Sequence, residues 1–274
     1  MSAVLGVLVG LVLGLTGAGG SVFAVPLLMF GLGWNITQAA PVALIAVCAS
    51  AAFGTLVAWN ASFVRYRAAV LMALAGWLTA PLGLHLADKL PEAWLTVAFA
   101  VILLMVALRM LAQARSNPAE ARIVRAAVAG EGKVSQGPLC QVNEATGRLT
   151  WTGPCAAVIA AIGAATGFLS GMLGVGGGFV IVPALRAAAV MSMHSAVATS
   201  LMTIALTSAG AVIASVGMGR SLPWMVALPF VAGSLVGMMV GRALASRIVG
   251  PHLQQGFALV MMCAAGLLIF KVAH

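Results

Sequence analysis

From Gln38 to Asn60 the chain carries no Asp, Glu, Lys or Arg, and the same holds for Ala68–Ala87, Ala93–Leu108, Ala196–Gly219, Pro223–Gly241 and Leu253–Phe270. A charge-free apolar run of about 20 residues, coiled as a helix, matches the hydrocarbon thickness of a bilayer. Two shorter apolar runs, Ala3–Leu15 and Ala156–Leu173, each lead into a Gly cluster and then a second short run, Val22–Gly33 and Phe179–Leu185. The chain is 62% hydrophobic and 7% charged, against about 45–50% and about 25% in a soluble domain. So much apolar surface must face lipid. In lipid the backbone has to satisfy its own hydrogen bonds, which leaves helices for runs of this length. The sequence therefore predicts an all-α integral membrane protein with about eight hydrophobic segments. No Lys or Arg precedes the first apolar run, which continues straight into a Gly cluster, so it reads as part of the membrane body rather than as a secretory signal.

The formal charge of +9 invites a nucleic-acid partner, but the basic residues are scattered among short loops, as the positive-inside rule expects. The reading is lipid bilayer and no nucleic acid. Cys48, Cys140, Cys155 and Cys263 are isolated, with no metal-type spacing, so neither a metal site nor a cofactor is predicted.

The organisation is a repeat. Gly6–Leu28 aligns without gaps on Gly163–Leu185 at an offset of 157, with nine identities: Gly6/Gly163, Gly10/Gly167, Gly14/Gly171, Gly17/Gly174, Gly19/Gly176, Gly20/Gly177, Val25/Val182, Pro26/Pro183 and Leu28/Leu185. Ala39/Ala196, Leu44/Leu201 and Gly76/Gly233 continue the register. Between the halves Arg109–Thr152 holds six basic and three acidic residues with Asn-Pro and Thr-Gly turn signals. The division is a first membrane repeat over 1–114, a polar cytoplasmic linker over 115–152 and a second membrane repeat over 153–274.

Two arrangements fit. If each Gly-broken pair is a hairpin that dips in and returns, each half crosses three times and the halves are inverted; Arg65, Arg67, Arg186, Arg242 and Arg247 then share the linker's side. If each broken pair crosses once, the halves are parallel. Charge placement slightly favours inversion, and inverted repeats around broken helices recur in transporters.

The chemistry centres on Gly14–Ser21 and Gly171–Gly178. Non-helical backbone at membrane depth needs cover from protein or a water-filled cavity, and glycine leaves amides bare. The helix after each cluster would aim its free N–H groups and positive dipole end at the break, a seat for an anion near the midplane. Candidate substrate-binding residues are Gly17, Gly19, Gly20, Ser21, Gly174, Gly176, Gly177 and Gly178, with the hydroxyls of Thr199 and Ser200. The ladders Gly6/Gly10/Gly14, Gly163/Gly167/Gly171 and Gly233/Gly237/Gly241 read as close helix packing. Gly20 stands where a P-loop needs Lys, and neither cluster makes a dinucleotide fingerprint. Asp88, Glu92, Glu120, Glu131 and Glu144 are the only carboxylates and all read as loop residues. Cation carriers and proton relays ordinarily place carboxylates within the membrane, so the passenger should be an anion. His85 and His194 are the candidates for proton coupling.

The pattern from Gly167 to Pro183, followed by Ala196-x-x-Thr199-Ser200, resembles the sulfite exporter TauE/SafE family, also called the toluene sulfonate uptake permease superfamily. The resemblance spans both halves. In the first, Ser21 replaces a cluster glycine and Pro41-Val42-Ala43 stands where x-Thr-Ser is usual. It implies a carrier in the bacterial cytoplasmic (inner) membrane for sulfite, sulfonates or related organic anions. The reading is a non-enzymatic secondary transporter of small anions, working by alternating access. The alternatives are an anion channel or an intramembrane enzyme built on Gly167-Phe-Leu-Ser170-Gly171, for which no His partner spacing exists.

Overall fold

The computed structural model describes residues 1–16, 20–59, 65–116, 152–188, 193–219, 223–248, 259 and 262–270. The helices are α1 (Ser2–Thr16), α2 (Ser21–Leu32), α3 (Ile36–Trp59), α4 (Tyr66–Lys89), α5 (Glu92–Ser116), α6 (Gly153–Leu173), α7 (Gly178–Ala188), α8 (Met193–Gly217) and α9 (Trp224–Ile248). Residues 262–270 are helical too, and no strand occurs among the described residues. Five helices, α3, α4, α6, α8 and α9, are long and apolar enough to cross a membrane. Large side chains such as Leu78 (78% exposed), Ile213 (67%) and Met225 (92%) project from them, which suits a lipid-facing surface. The protein is an all-α integral membrane protein. Most of the polar linker expected over 115–152 lies outside the described residues, although α5 runs on to Ser116.

Local signals explain where the elements begin and end. The Thr152 hydroxyl accepts the N–H of Cys155, with a proline in the first turn, so α6 starts there. It stops where Gly174 takes φ +73° and returns its N–H to the Ser170 carbonyl at 2.9 Å. That is the left-handed glycine stop of many helix C-termini.

Between helices in lipid there is little hydrophobic drive, so close packing at small residues and interhelical hydrogen bonds hold the assembly. The glycine ladders do this. A Cβ on Gly6, Gly10 or Gly14 would lie 2.1 Å from Phe230 O, 1.9 Å from Ser234 O and 2.8 Å from Met238 O. Gly233, Gly237 and Gly241 reply from α9 against Ala3, Val7 and Leu11 of α1. The second half repeats the device: Gly163, Gly167 and Gly171 of α6 press on the backbone of Met72, Gly76 and Ala80 in α4. Each half thus packs its first helix against the last of these four-helix sets in the other half. Hydrogen bonds between the halves include Ser50 Oγ to Ser234 Oγ (2.9 Å), Trp77 Nε1 to Leu206 O (2.7 Å) and Thr79 Oγ1 to Ala164 O (2.7 Å).

The register of these contacts settles the relative directions. Gly6, Gly10 and Gly14 meet successively later residues of α9, so α1 and α9 run parallel; by the same reading α4 and α6 run parallel. Ser50 meets Ser234 and Gly54 meets Met238, making α3 parallel to α9. The Arg65 amide meets Thr199 and Trp77 meets Leu206, making α4 parallel to α8. Between α3 and α8 the order reverses: Cys48 Sγ lies 3.4 Å from Ala205 O, while Gly54 faces Leu201. Helices equivalent at the 157-residue offset therefore run antiparallel, α3 against α8, α1 against α6 and α4 against α9. The halves are inverted. Cys48 and Ala205 are themselves equivalent positions in contact, which puts the pseudo-twofold relation between α3 and α8.

The broken pairs are hairpins. Gly20 abuts Leu13 and Gly31 abuts Leu5, so α2 doubles back along α1. Gly177 abuts Thr166, which lies well before the end of α6. At 1.5 Å per residue, α1, α2 and α7 are about 22, 18 and 16 Å long, short of a bilayer core of about 30 Å.

Candidate functional site

The depth of the two breaks follows from the same contacts. Leu13, against which Gly20 sits, lies between Gly10 and Gly14, and these face Ser234 and Met238 on either side of Val236, the middle residue of α9. Thr166, against which Gly177 sits, lies between Gly163 and Gly167, which face Met72 and Gly76, close to the middle of α4 at Trp77. Both returning half-helices, α2 from Ser21 and α7 from Gly178, therefore begin within about a helical turn of mid-depth. They run away from one another toward opposite faces, and their N-terminal ends point inward.

The second break is the better described. Gly176 and Gly177 have φ +72° and +68° after Gly174 at +73°, so three residues of this loop occupy a conformation that costs an L-side chain about 1–2 kcal/mol each. All of Gly174–Gly178 is buried. Their Cα faces are taken by neighbours: Gly174 is packed on Ala40 and Gly177 on Thr166. Gly176 wedges between Val47 of α3 and Ile204 and Ser208 of α8. Close packing, expected only of the ladders, thus extends to the break, and any ligand would meet these glycines through their amides.

In the first break Gly17 and Gly19 lie outside the described residues. Gly20 has an ordinary helical φ of −66°. It is glycine because a Cβ would come 2.2 Å from Leu13 N. Ser21 opens α2 and is completely buried.

The hydroxyls expected to line the path divide. Thr199 is fully buried and its Oγ1 accepts the backbone N–H of Arg65 at 3.1 Å. Ser200 donates to Val197 O at 2.8 Å, and Thr203 and Thr207 bond back to Thr199 O and Thr203 O. Such bonds to the preceding turn occupy the donor proton, so Ser200 has spent its own. The first-half counterparts of this stretch are apolar: Val42, Ala43 and Ala46 are buried in the core.

Three buried hydroxyls, those of Ser170, Ser208 and Ser215, behave differently. Ser208 Oγ is buried, has no hydrogen-bond partner and lies 2.9 Å from where a Cβ on Gly176 would stand. Ser170, one turn before the break, also has a buried Oγ with no partner. A buried polar group without a partner costs about 1–3 kcal/mol, and such orphans call for an explanation. Sequence reading passed over Ser208, one hydroxyl among several on α8, matched by apolar Ala51 in the first half. Its lack of a partner and its place beside Gly176 together single it out from Ser215, which also lacks one. His85 is exposed in the last turns of α4, away from the breaks; the His194 side chain lies outside the described residues.

The charges separate by face. Arg65 and Arg67 stand at the start of α4, and Arg186, Arg242 and Arg247 occur toward the ends of α7 and α9, all on one face. Asp88 and Lys89 end α4 and Glu92 begins α5 on the other, with exposed Trp94 and Trp224 near the same level. Of the five carboxylates expected in loops, Asp88 and Glu92 are in fact helix-end residues, still outside the membrane centre, and Glu120, Glu131 and Glu144 lie outside the described residues. Among the described residues no group of His, Cys, Asp or Glu could hold a metal ion.

Residues 2–268 match the sequence profile of the family described as Sulfite exporter TauE/SafE. The chain belongs to that family. Two similar proteins, each named "Probable membrane transporter protein", come from Xylella fastidiosa strains 9a5c and Temecula1. They are 30% and 31% identical over 273 residues, covering 97% of this chain and 93% of each relative. "Probable membrane transporter protein YunE" of Bacillus subtilis (strain 168) is 25% identical over 248 residues, covering 88% of this chain and 86% of its own. No solved structure matches. This TauE/SafE member is therefore a multi-pass membrane transporter acting on a small molecule.

Proposed function

We propose that the protein carries small anions, sulfur oxyanions or organic sulfonates or carboxylates, across the bacterial inner membrane by alternating access. One observation carries the reading: two half-helices enter from opposite faces and begin near mid-depth with their N-termini inward, where no described carboxylate lies. Each such end offers free N–H groups and roughly half a positive charge. Ser208 supports it, because its idle hydroxyl beside Gly176 is a neutral donor suited to an oxyanion. In this reading the buried Gly174–Gly178 would be reached from either face by rocking of the inverted halves about the α3–α8 contact. The linker's side, rich in arginine, is the cytoplasmic face by the positive-inside rule.

The test is flux of radiolabelled sulfite, sulfoacetate, an aryl sulfonate and a dicarboxylate in proteoliposomes. The expected result is saturable uptake of one class, with counterflow from preloaded vesicles and at least a tenfold loss in Ser208→Ala. If every anion stays put while the reconstituted protein remains folded, the anion reading is wrong. Linear, unsaturated flux without counterflow would make the protein a pore.

A further inference from the structure

Arg242 lies toward the end of α9, less than two turns beyond Val236, beside the C-terminal part of α1: its backbone N is 2.9 Å from where a Cβ on Gly14 would stand. Its side chain does not extend toward lipid. It crosses to α3, where Nη1 donates to the Gly54 carbonyl. Gly54 in turn faces Leu201 of α8, two residues from Thr199, which holds the backbone N–H of Arg65 at 3.1 Å. Arg65 buries its Nε without any hydrogen-bond partner. Two guanidinium-bearing residues thus stand at one level of the fold, on either flank of the first turns of α8, just on the cytoplasmic side of the first break.

Among the described residues neither has a counter-charge in view. The described carboxylates, Asp88 and Glu92, are at the opposite face, a full length of α4 away. A partly buried guanidinium pairs with a carboxylate or a phosphate wherever one is offered, because its planar fork fits two oxygens. An arginine in or at the edge of a membrane bundle that turns toward protein rather than lipid marks a site by default.

We propose that Arg65 and Arg242 form an oxyanion-capture site at the cytoplasmic mouth, which loads or releases the passenger between that face and the helix breaks. The inference rests on the anion-transport reading and adds residues outside the Gly clusters. The shared chemistry is an oxyanion held by two guanidinium groups. The passenger and an anionic lipid headgroup both offer it, and the passenger is favoured because Arg242 points to α3 rather than outward.

The first arm of the test needs no transport. Purified protein in detergent is melted with sulfite, sulfate, phosphate or chloride at equal ionic strength. The wild type should gain several degrees with the oxyanions over chloride, Arg242→Gln should lose that gain, and Arg242→Lys should keep part of it. In the second arm, sulfite flux is measured from each side of phosphatidylcholine vesicles. Arg242→Gln should raise the KM at the arginine-bearing face at least tenfold, leaving the other face within about twofold, and Arg65→Gln should act in the same direction. Absence of oxyanion stabilisation in the wild type overturns the capture site, as does stabilisation by phosphatidylglycerol alone or an equal KM change on both faces. A wild type that binds oxyanions yet transports none overturns the transport reading and leaves the capture site standing.

Discussion

Gly176→Ala isolates the break from the rest of the fold. The residue sits at φ +72°, where an L-side chain costs about 1–2 kcal/mol. Its new Cβ would lie 2.9 Å from Ser208 Oγ, 3.0 Å from Val47 Cγ1 and 3.4 Å from Ile204 Cγ2. Both helices that supply those atoms are held by other interhelical contacts, so the strain has no free side on which to relax, and overpacking of this kind adds about 1–3 kcal/mol. The sum is about 2–5 kcal/mol. At its lower end that reduces the population holding the native break about 30-fold. The measurement is uptake of whichever anion the flux panel identifies, alongside the melting temperature of the purified protein. Ser208→Gly in the same chain removes the closest contact without changing φ, so it should recover part of the melting temperature while uptake, which uses the Ser208 hydroxyl, stays low. Gly217→Ala, where nothing lies within 4 Å of the new methyl, serves as the indifferent control. Wild-type uptake and melting in Gly176→Ala would refute both the strained geometry and the place given to Ser208.

Further outcomes follow from the packing. Gly10→Ala and Gly167→Ala would thrust a methyl to 1.9 Å from Ser234 O and 2.2 Å from Gly76 Cα. Each should lower the melting temperature by an amount equivalent to about 1–3 kcal/mol, and a shift of under a degree in both would show that the ladders do not hold the halves together. Of single cysteines at Arg67 and Asp88, introduced after removal of the native thiols, only the one at Asp88 should react with an impermeant maleimide in intact cells, and the one at Arg67 only once the cells are opened. The same labelling pattern at both positions would contradict the assigned course of α4.

The length and spacing of the charge-free runs were enough to read an all-α membrane protein, because lipid penalises every unpaired backbone group regardless of what the neighbouring helices do. The repeat was equally legible, since Gly and Pro at a fixed offset report backbone geometry directly. The choice between inverted and parallel halves was not. Both satisfy the same hydropathy, and the answer came from register: Cys48 against Ala205 with Gly54 against Leu201 reverses order, while Ser50 against Ser234 does not. The site was legible only as a place. Gly174–Gly178 announced a break, but whether a hydroxyl on α8 bonds to its own helix, as Ser200 does, or is left idle, as Ser208 is, depends on rotation and on the helix packed against it. Composition and period thus determined the solvent, the secondary structure and the duplication, all set by local chemistry along one chain. Direction, depth and the partners of single polar atoms were decided by tertiary structure, because each depends on contacts between segments that the order of residues leaves free to pair in more than one way.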